Sequence, residues 1–234
     1  SVWDVELGAE WKTKSLLFKV NLYDMEFRDE IAATGELSAI GQALRQNVDR
    51  SFRRGIEIEA SWQALDVLRI SASANASRNR ISTWTQFYDV YDANGDPAGA
   101  MSRTYRDVAP VATPAFQAAL GAETTAMRGL TIGAIARYVA ASWLDNTNTP
   151  GLEAPRTFQL DAALVVDLSR WISAGRPRLK VQVNNVLDNR RLWPRGYSYL
   201  YANRDASGVE TLAGVPYYYP LATRSAYVSL DVGF

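Results

Sequence analysis

The chain has 234 residues, with 25 Lys and Arg against 25 Asp and Glu, a formal balance of zero. Such a balance gives no electrostatic footprint for nucleic acid or for an anionic membrane surface. There is no Cys and no His, which excludes disulfides, thiolate zinc sites, cysteine nucleophiles and imidazole bases. Apolar residues make up 47% and mean hydropathy is −0.18, values shared by soluble proteins and by sheets of which only alternate residues meet lipid. No apolar run approaches the roughly 20 residues of a spanning helix. Ser1 opens directly into a strand pattern with no secretory leader, the expectation for a mature, trimmed or internal segment.

Residues 2–12 alternate, with Trp3, Val5, Leu7, Ala9 and Trp11 on one face and Asp4, Glu6, Gly8 and Glu10 on the other. After the turn Lys12-Thr13-Lys14 a second strand sets Leu16, Phe18, Val20 and Leu22 against Lys19, Asn21 and Tyr23. Residues 29–45 read as a loop of mixed character. The third strand places Ile56, Ile58, Ala60 and Trp62 opposite Glu57, Glu59 and Ser61, and the fourth places Ile70, Ala72, Ala74 and Ala76 opposite Ser71, Ser73, Asn75 and Ser77. A long loop over about 84–110 follows. Strands are predicted over 112–125, 130–143, around Leu160–Leu168 and around Leu179–Val183, with the stretch from Asp145 to Gly151 as a loop. The connection 190–220 is the longest. It leads to a last strand with Ala226, Val228, Leu230, Val232 and Phe234 on one face and Ser225, Tyr227, Ser229, Asp231 and Gly233 on the other.

Two regularities stand out. Connections alternate short and long, the signature of an up-and-down antiparallel meander with periplasmic turns at one end and extracellular loops at the other. Trp residues gather near strand ends: Trp11, Trp62 and Trp171 by short turns, Trp3, Trp84 and Trp143 by long loops. At ~3.3 Å per residue Trp3 and Trp11 stand about 26 Å apart along the strand. A tilt of about 40° reduces that to roughly 20 Å of height, near the ~25 Å band between the aromatic girdles of a transmembrane barrel. The predicted class is therefore all-β, an antiparallel transmembrane β-barrel segment of about nine strands. Nine is odd, and single-chain bacterial barrels close on even numbers.

Three segments carry a family resemblance. Asn47 to Glu59, ending Gly55-Ile56-Glu57-Ile58-Glu59, resembles the mid-barrel strand of TonB-dependent receptors. Val183-Asn184-Asn185-Val186-Leu187-Asp188-Asn189-Arg190 is similar to their penultimate strand, and Pro220 to Phe234, a Pro and an Arg followed by an alternating strand ending in Phe, is similar to their closing segment. The resemblance spans essentially the whole chain, as the C-terminal part of the family's barrel. It implies that 1–234 belongs to a 22-stranded barrel with a plugged lumen, with the plug domain and the earlier strands absent here. It further implies the outer membrane of a Gram-negative bacterium, transport and no enzymatic activity, and TonB-coupled uptake of a scarce solute, foremost a ferric siderophore. The partners it implies are outer-membrane lipid, the TonB energy-coupling complex through the plug, the barrel-assembly machinery through the last strand, and the small-molecule solute. No cofactor, metal site or nucleic-acid partner is expected.

Other motifs have plainer readings. Asp92-Ala93-Asn94-Gly95-Asp96 lacks the spacing of a calcium loop and reads as a tight turn. Glu57 and Glu59, two apart on a strand, line the polar lumen. There is no phosphate-binding glycine loop and no Gly-x-Ser-x-Gly. The long loops hold the candidate ligand residues: Arg103, Tyr105 and Arg106 in one, and Arg195, Tyr197, Tyr199, Tyr201, Arg204 and Tyr218, within Tyr217-Tyr218-Tyr219, in the last. Tyr offers a rigid ring with a hydroxyl and Arg a planar set of donors, which suit an anionic ferric chelate and equally a sugar or packing between loops. Val228, Leu230, Val232 and Phe234 are expected to face lipid. Two alternatives stay open at this point: a complete small outer-membrane barrel acting as pore or adhesin, and a soluble extracellular carbohydrate-binding β-protein.

Overall fold

The computed structural model describes residues 1–172, 174–190 and 192–233, with side chains described for all of these but 192–194. Fourteen strands follow in order: β1 (Val2–Lys12), β2 (Leu16–Leu37), β3 (Ala43–Leu65), β4 (Leu68–Tyr91), β5 (Pro97–Val108), β6 (Phe116–Met127), β7 (Leu130–Val139), β8 (Ser142–Trp143), β9 (Glu153–Ala154), β10 (Thr157–Asp167), β11 (Arg178–Asn184), β12 (Leu192–Arg204), β13 (Glu210–Pro220) and β14 (Ser225–Asp231). Nine of them form one antiparallel path, β1-β2-β3-β4-β6-β7-β10-β11-β14, which matches the expected nine. Strands β5, β12 and β13 attach beside that path, and β8 and β9 make a separate two-stranded ribbon. Among the described residues β1 pairs only with β2 and β14 only with β11, so the path stays open at both edges.

Pairing register converts the alternation of each strand into continuous rows. Leu7, Leu22, Ile56, Ala76 and Phe116 are successive partners across five strands. Two residues further toward the short turns, Ala9, Val20, Ile58, Ala74, Ala118, Tyr138 and Phe158 make a second apolar row. Between them runs the polar row Gly8, Asn21, Glu57, Asn75 and Gln117. The polar side is concave and bounds an open cavity of about 830 Å³ lined by Glu10, Lys19, Glu57, Glu59, Asn75 and Arg137 among others. Its groups satisfy one another: Asn21 donates to Glu6 (2.7 Å), Asn75 to Glu57 (3.2 Å), and Lys19 pairs with Glu10 (3.6 Å). A one-residue slip would turn every apolar row into the concavity, so register and facing are set together.

In β14, Val228 and Leu230 are exposed on the face shared with Val181 and Leu179 of β11, and Ser229 and Asp231 partner Lys180 and Arg178. Val232 lies just past β14 and is exposed; Phe234 lies outside the described residues.

Three stretches expected as loops are largely strand. Residues 29–45 continue β2 and β3 into a long hairpin, 84–110 hold the top of β4 and β5, and 190–220 hold β12 and β13. What hid them is a shared slip in alternation. Arg28 and Asp29, Asp49 and Arg50, and Ser82 and Thr83 are each two exposed residues in succession, and Asp29 has φ 54°. The three slips stand at one height, because Ser51 partners both Phe27 and Ile81. Above them the inward residues change parity: Ala32, Val48 and Trp84 join Ile81 and Val108 in a buried cluster. Trp84, expected in a girdle, is thus 1% exposed, with its indole N–H donating to Gln86 (2.9 Å). Trp3, Trp11, Trp62 and Trp171 are exposed at strand ends, whereas Trp143 is half-buried.

Gly55 explains the glycine of the Gly-Ile-Glu-Ile-Glu segment. A Cβ there would stand 2.5 Å from the Tyr23 hydroxyl and 2.7 Å from the Ala76 carbonyl. Asn75 donates to the same Tyr23 hydroxyl (3.1 Å). Gly55→Val is expected to cost about 1–3 kcal/mol through displacement of Tyr23, read as a lowered unfolding midpoint of the detergent-solubilised barrel. An unchanged midpoint would show that Tyr23 swings aside freely.

Candidate functional site

The end of the sheet beyond the slips is built from the top of the β2–β3 hairpin, two further hairpins and a crosspiece. The β4–β5 hairpin closes on Asp92, whose Oδ1 accepts from the N–H groups of Asn94 (2.8 Å) and Asp96 (3.0 Å), with Gly95 at φ 86°. The β12–β13 hairpin repeats the device: Asp205 Oδ1 accepts from Ser207 N–H (2.8 Å) and Val209 N–H (2.9 Å), and Gly208 has φ 84°. These hydrogen bonds hold both carboxyls below the ordinary carboxylate range. The two hairpins meet edge to edge. Tyr201, Ala202 and Asn203 pair in parallel with Asp89, Val90 and Tyr91. The result is a small sheet, β5-β4-β12-β13, whose inner face buries Tyr88, Val90, Leu152, Leu200 and Ala202.

The crosspiece is the connection from β7 to β10, expected to be an open polar loop. Leu144, Asp145, Asn146, Thr147 and Leu152 are all buried. Its amides are spent on backbone. Asn146 donates to Ala33 O and accepts from Val111 N–H, both at 2.7 Å; Asn148 accepts from Ala109 N–H (2.6 Å) and donates to Ala109 O (2.9 Å); Ser198 donates to Leu144 O (3.3 Å). A side chain on Gly35 (φ 93°) would run into the Leu144 carbonyl. The crosspiece therefore ties β2, the β5–β6 connection and β12 together. The sequence signal for it is thin: a run of Asp, Asn and Thr reads as a turn, although the same side chains both donate and accept, which is what a buried crosspiece needs.

Two carboxyls are withdrawn from solvent in this region, Asp145 buried and Glu36 half-buried. Burial pushes Asp145 up against the bonds it accepts from Thr147, and its Oδ2 has no hydrogen-bond partner. Burial, and then the charge of Asp89, pushes Glu36 up, although Gln86 donates to it (3.1 Å). Among the described residues no group of three or more His, Cys, Asp or Glu is placed to hold a metal ion.

The candidate residues divide between the two faces of the small sheet. Tyr105 is half-buried on the inner face and shares a hydrogen bond of 2.6 Å with Tyr88, whose hydroxyl is driven well up by burial. Arg103 lies over the Tyr105 ring, 5.7 Å from its centre. Arg106 is exposed at the foot of β5, opposite Thr83. Tyr197, Tyr199 and Tyr201 share the outer face of β12, and Arg195 is exposed at that strand's foot. Tyr218 partners Gly196 and so falls on the other face, half-buried, whereas Tyr217 and Tyr219 join the outer tyrosines. Arg204 is engaged by Glu210 (2.6 Å) and by Ala98 O (3.2 Å). Missed in the sequence were Phe87, Asp89 and Tyr91, which the edge-to-edge pairing with β4 brings onto the tyrosine face.

Because Asp145 and Glu36 sit above their ordinary values, they stabilise the packed crosspiece most below those values, and the contribution is lost as pH rises through the raised ones. Protection of the 144–152 amides from hydrogen exchange, corrected for intrinsic rates, is expected to fall from about pH 4 to about pH 8. Asp145→Asn keeps the acceptor for Thr147 and removes the buried charge, so it should flatten most of that fall. An unaltered profile in the variant would place the pH dependence elsewhere.

The chain was compared with known proteins. The family model "TonB dependent receptor-like, beta-barrel" matches residues 1–186. The ferrioxamine receptor of Yersinia enterocolitica is 30% identical over 155 residues, covering 64% of this chain and 19% of that receptor. Among solved structures, the ferric yersiniabactin uptake receptor FyuA of Yersinia pestis superposes over 100% of this chain and 30% of its own, with a TM-score of 0.64 at 15% identity. The ferric-catecholate import receptor Fiu of E. coli K12 covers 99% of this chain and 27% of its own, with a TM-score of 0.62 at 16% identity. At those identities the two structures speak for the fold alone. The chain thus spans about a fifth to a third of the length of these relatives. It belongs to the TonB-dependent receptor β-barrel family, transporters and not enzymes, seated in the outer membrane of Gram-negative bacteria.

Proposed function

We propose that the chain is the C-terminal part of a larger plugged barrel of about 22 strands and serves TonB-coupled uptake of a ferric siderophore. The observation that supports the barrel reading best is the open nine-strand path, with apolar rows on its convex face and a polar concavity behind them. An open sheet edge has no place in hydrocarbon, so strands beyond β1 and β14 complete the wall. The small-barrel alternative has no support among the described residues, since β5 turns out to be part of a hairpin beside the path. The siderophore reading rests on the kinship with a ferrioxamine receptor.

In this reading Val228, Leu230 and Val232 meet lipid, and β14 is the strand handed to the barrel-assembly machinery. The long hairpins stand at the extracellular mouth, and the plug that fills the concavity carries the contact with TonB. Leu230→Arg should cost about 2–4 kcal/mol if it lies near the midplane, and spin labels at 230 and 231 should report opposite access to lipid and to water. Equal lipid access at both would count against the wall.

Uptake itself is tested in cells grown under iron limitation. Deletion of the gene for the receptor that carries this chain should abolish accumulation of an iron-55 siderophore, and loss of TonB should abolish it equally. Accumulation that persists without TonB would refute energy coupling.

A further inference from the structure

Among the described residues the short-turn end of the wall ends in four connections, 13–15, 66–67, 128–129 and 168–177. Each is stitched to its neighbour along the wall by a backbone bond. Gln63 N–H donates to Ser15 O (2.7 Å), Thr125 N–H to Val67 O (2.9 Å), Asp167 N–H to Gly129 O (2.7 Å) and Gly233 N–H to Gly175 O (2.7 Å). A Cβ on Gly175 (φ 71°) would stand 2.7 Å from the Gly233 carbonyl, so the last contact leaves no room for a side chain. The turns thus form one continuous rim.

The rim is cationic in a chain whose formal charge is zero. The four connections carry Lys14, Arg128, Arg170 and Arg176 against Asp66 alone. All four cations are exposed, and none forms an ion pair with another described residue. The strand ends that feed the turns are balanced, with Lys12 and Arg178 against Asp167 and Asp231. Arg178 lies opposite both of those aspartates in register. Further in, on the concave side, Arg69 is the partner of Glu123, and Lys19 pairs with Glu10 (3.6 Å). The surplus is therefore confined to the turns.

Exposed apolar side chains crowd the same rim. Trp11 and Trp62 end convex strand faces, Val67 and Met127 flank two of the turns, and Trp171 and Ile172 occupy a third. The N–H groups of Trp171 and Ile172 both donate to Leu168 O (2.9 Å), a bend that leaves Trp171 72% exposed next to Arg170. Lys14 follows Trp11 by three residues, about 10 Å of chain at ~3.3 Å per residue. At a tilt of about 40° that is roughly 8 Å of height. The headgroup layer beyond the hydrocarbon is about 5–8 Å deep, so with Trp11 at the apolar edge the turn cations stand level with the headgroups.

Resting on the barrel reading above, we infer that this rim binds anionic glycerophospholipid, of the phosphatidylglycerol class, in the leaflet on the short-turn side. Trp171, Ile172 and Met127 enter the boundary between acyl chains and headgroups, and Lys14, Arg128, Arg170 and Arg176 donate to phosphate oxygens. A zwitterionic headgroup brings an ammonium beside its phosphate and gains less from four cations with one carboxylate among them. The backbone bonds hold the turns in place before lipid arrives, which lowers the ordering cost of binding.

The test uses the complete receptor, extracted in neutral detergent and equilibrated with phosphatidylglycerol and phosphatidylethanolamine of equal chain length. Retained lipids are counted by native mass spectrometry. Phosphatidylglycerol should be held about tenfold more strongly, and the preference should shrink as salt is raised. Lys14→Gln, Arg128→Gln and Arg170→Gln should each weaken phosphatidylglycerol by up to about fivefold, and the triple variant should hold the two lipids alike. Heat-modifiability on gels checks that each variant is assembled. Equal retention of both lipids by the unaltered receptor would overturn the inference and leave the barrel reading standing. An assembled triple variant that keeps the preference would overturn it as well, and loss of co-sedimentation with peptidoglycan in that variant would assign the cations to the cell wall. A receptor that stays monodisperse without detergent and retains neither lipid would overturn the barrel reading and this inference with it.

Discussion

Lateral pairing of backbone N–H and C=O groups is the interaction on which the rest of this molecule depends. In hydrocarbon every such group needs a partner, and nine strands supply partners for one another across the wall, from β1 to β14. The pairing dictates chemistry as well as shape. Once Leu22 is opposite Leu7 and Ile56, every second residue of three strands is committed to the convex side and every other one to the concavity. Glu57 and Asn75 owe their contact to that register and to nothing in their own neighbourhood along the chain.

The slips at Asp29, Asp49 and Ser82 mark the height at which the inward face changes character. By exchanging parity together, three strands keep their pairing and yet present a different set of residues inward. Below the slips the inward side is polar, with Asn21, Glu57 and Asn75, and across the slips Arg53 pairs with Glu30 at 2.9 Å and Ser51 donates to the same carboxylate. Above them Ala32, Val48 and Trp84 turn inward and pack with Ile81. The change makes physical sense. Below the slips the polar side faces the open concavity, whereas above them the inward face binds hairpins and crosspiece by burial. A polar inward face there would have left the hairpins without anything to pack against.

The crosspiece reverses that logic. It is polar, buried from Leu144 to Thr147, and holds its neighbours with side-chain amides where a hydrophobic link would ordinarily serve. Such networks are stable only when nearly every group is satisfied. Asn146 and Asn148 are satisfied; Asp145 is not, on one oxygen. That unpartnered oxygen lies in the connection which ties β2 to β12. The edge-to-edge pairing of β4 with β12 ties distant segments too, since Asp89 and Tyr199 come from parts of the chain 110 residues apart.

Much of the wall was legible in the sequence because its determinant is local. A period of two along a strand is visible within a few residues, as in Trp3–Trp11 and Ser225–Asp231. The family-like segment ending Gly55-Ile56-Glu57-Ile58-Glu59 could be read for the same reason, although the cause of its glycine, the Tyr23 hydroxyl, could not. The architecture beyond the slips was decided by tertiary structure alone. Two exposed residues in a row break the period, so β2, β3 and β4 seemed to end where they merely slip. Whether Tyr199 or Tyr218 turns outward depends on register with β13, and whether Asp89 joins the tyrosines depends on a parallel contact between distant strands. Such pairings are fixed by the free energy of closing long loops against burial gained at the far end, a balance that no window of neighbouring residues contains.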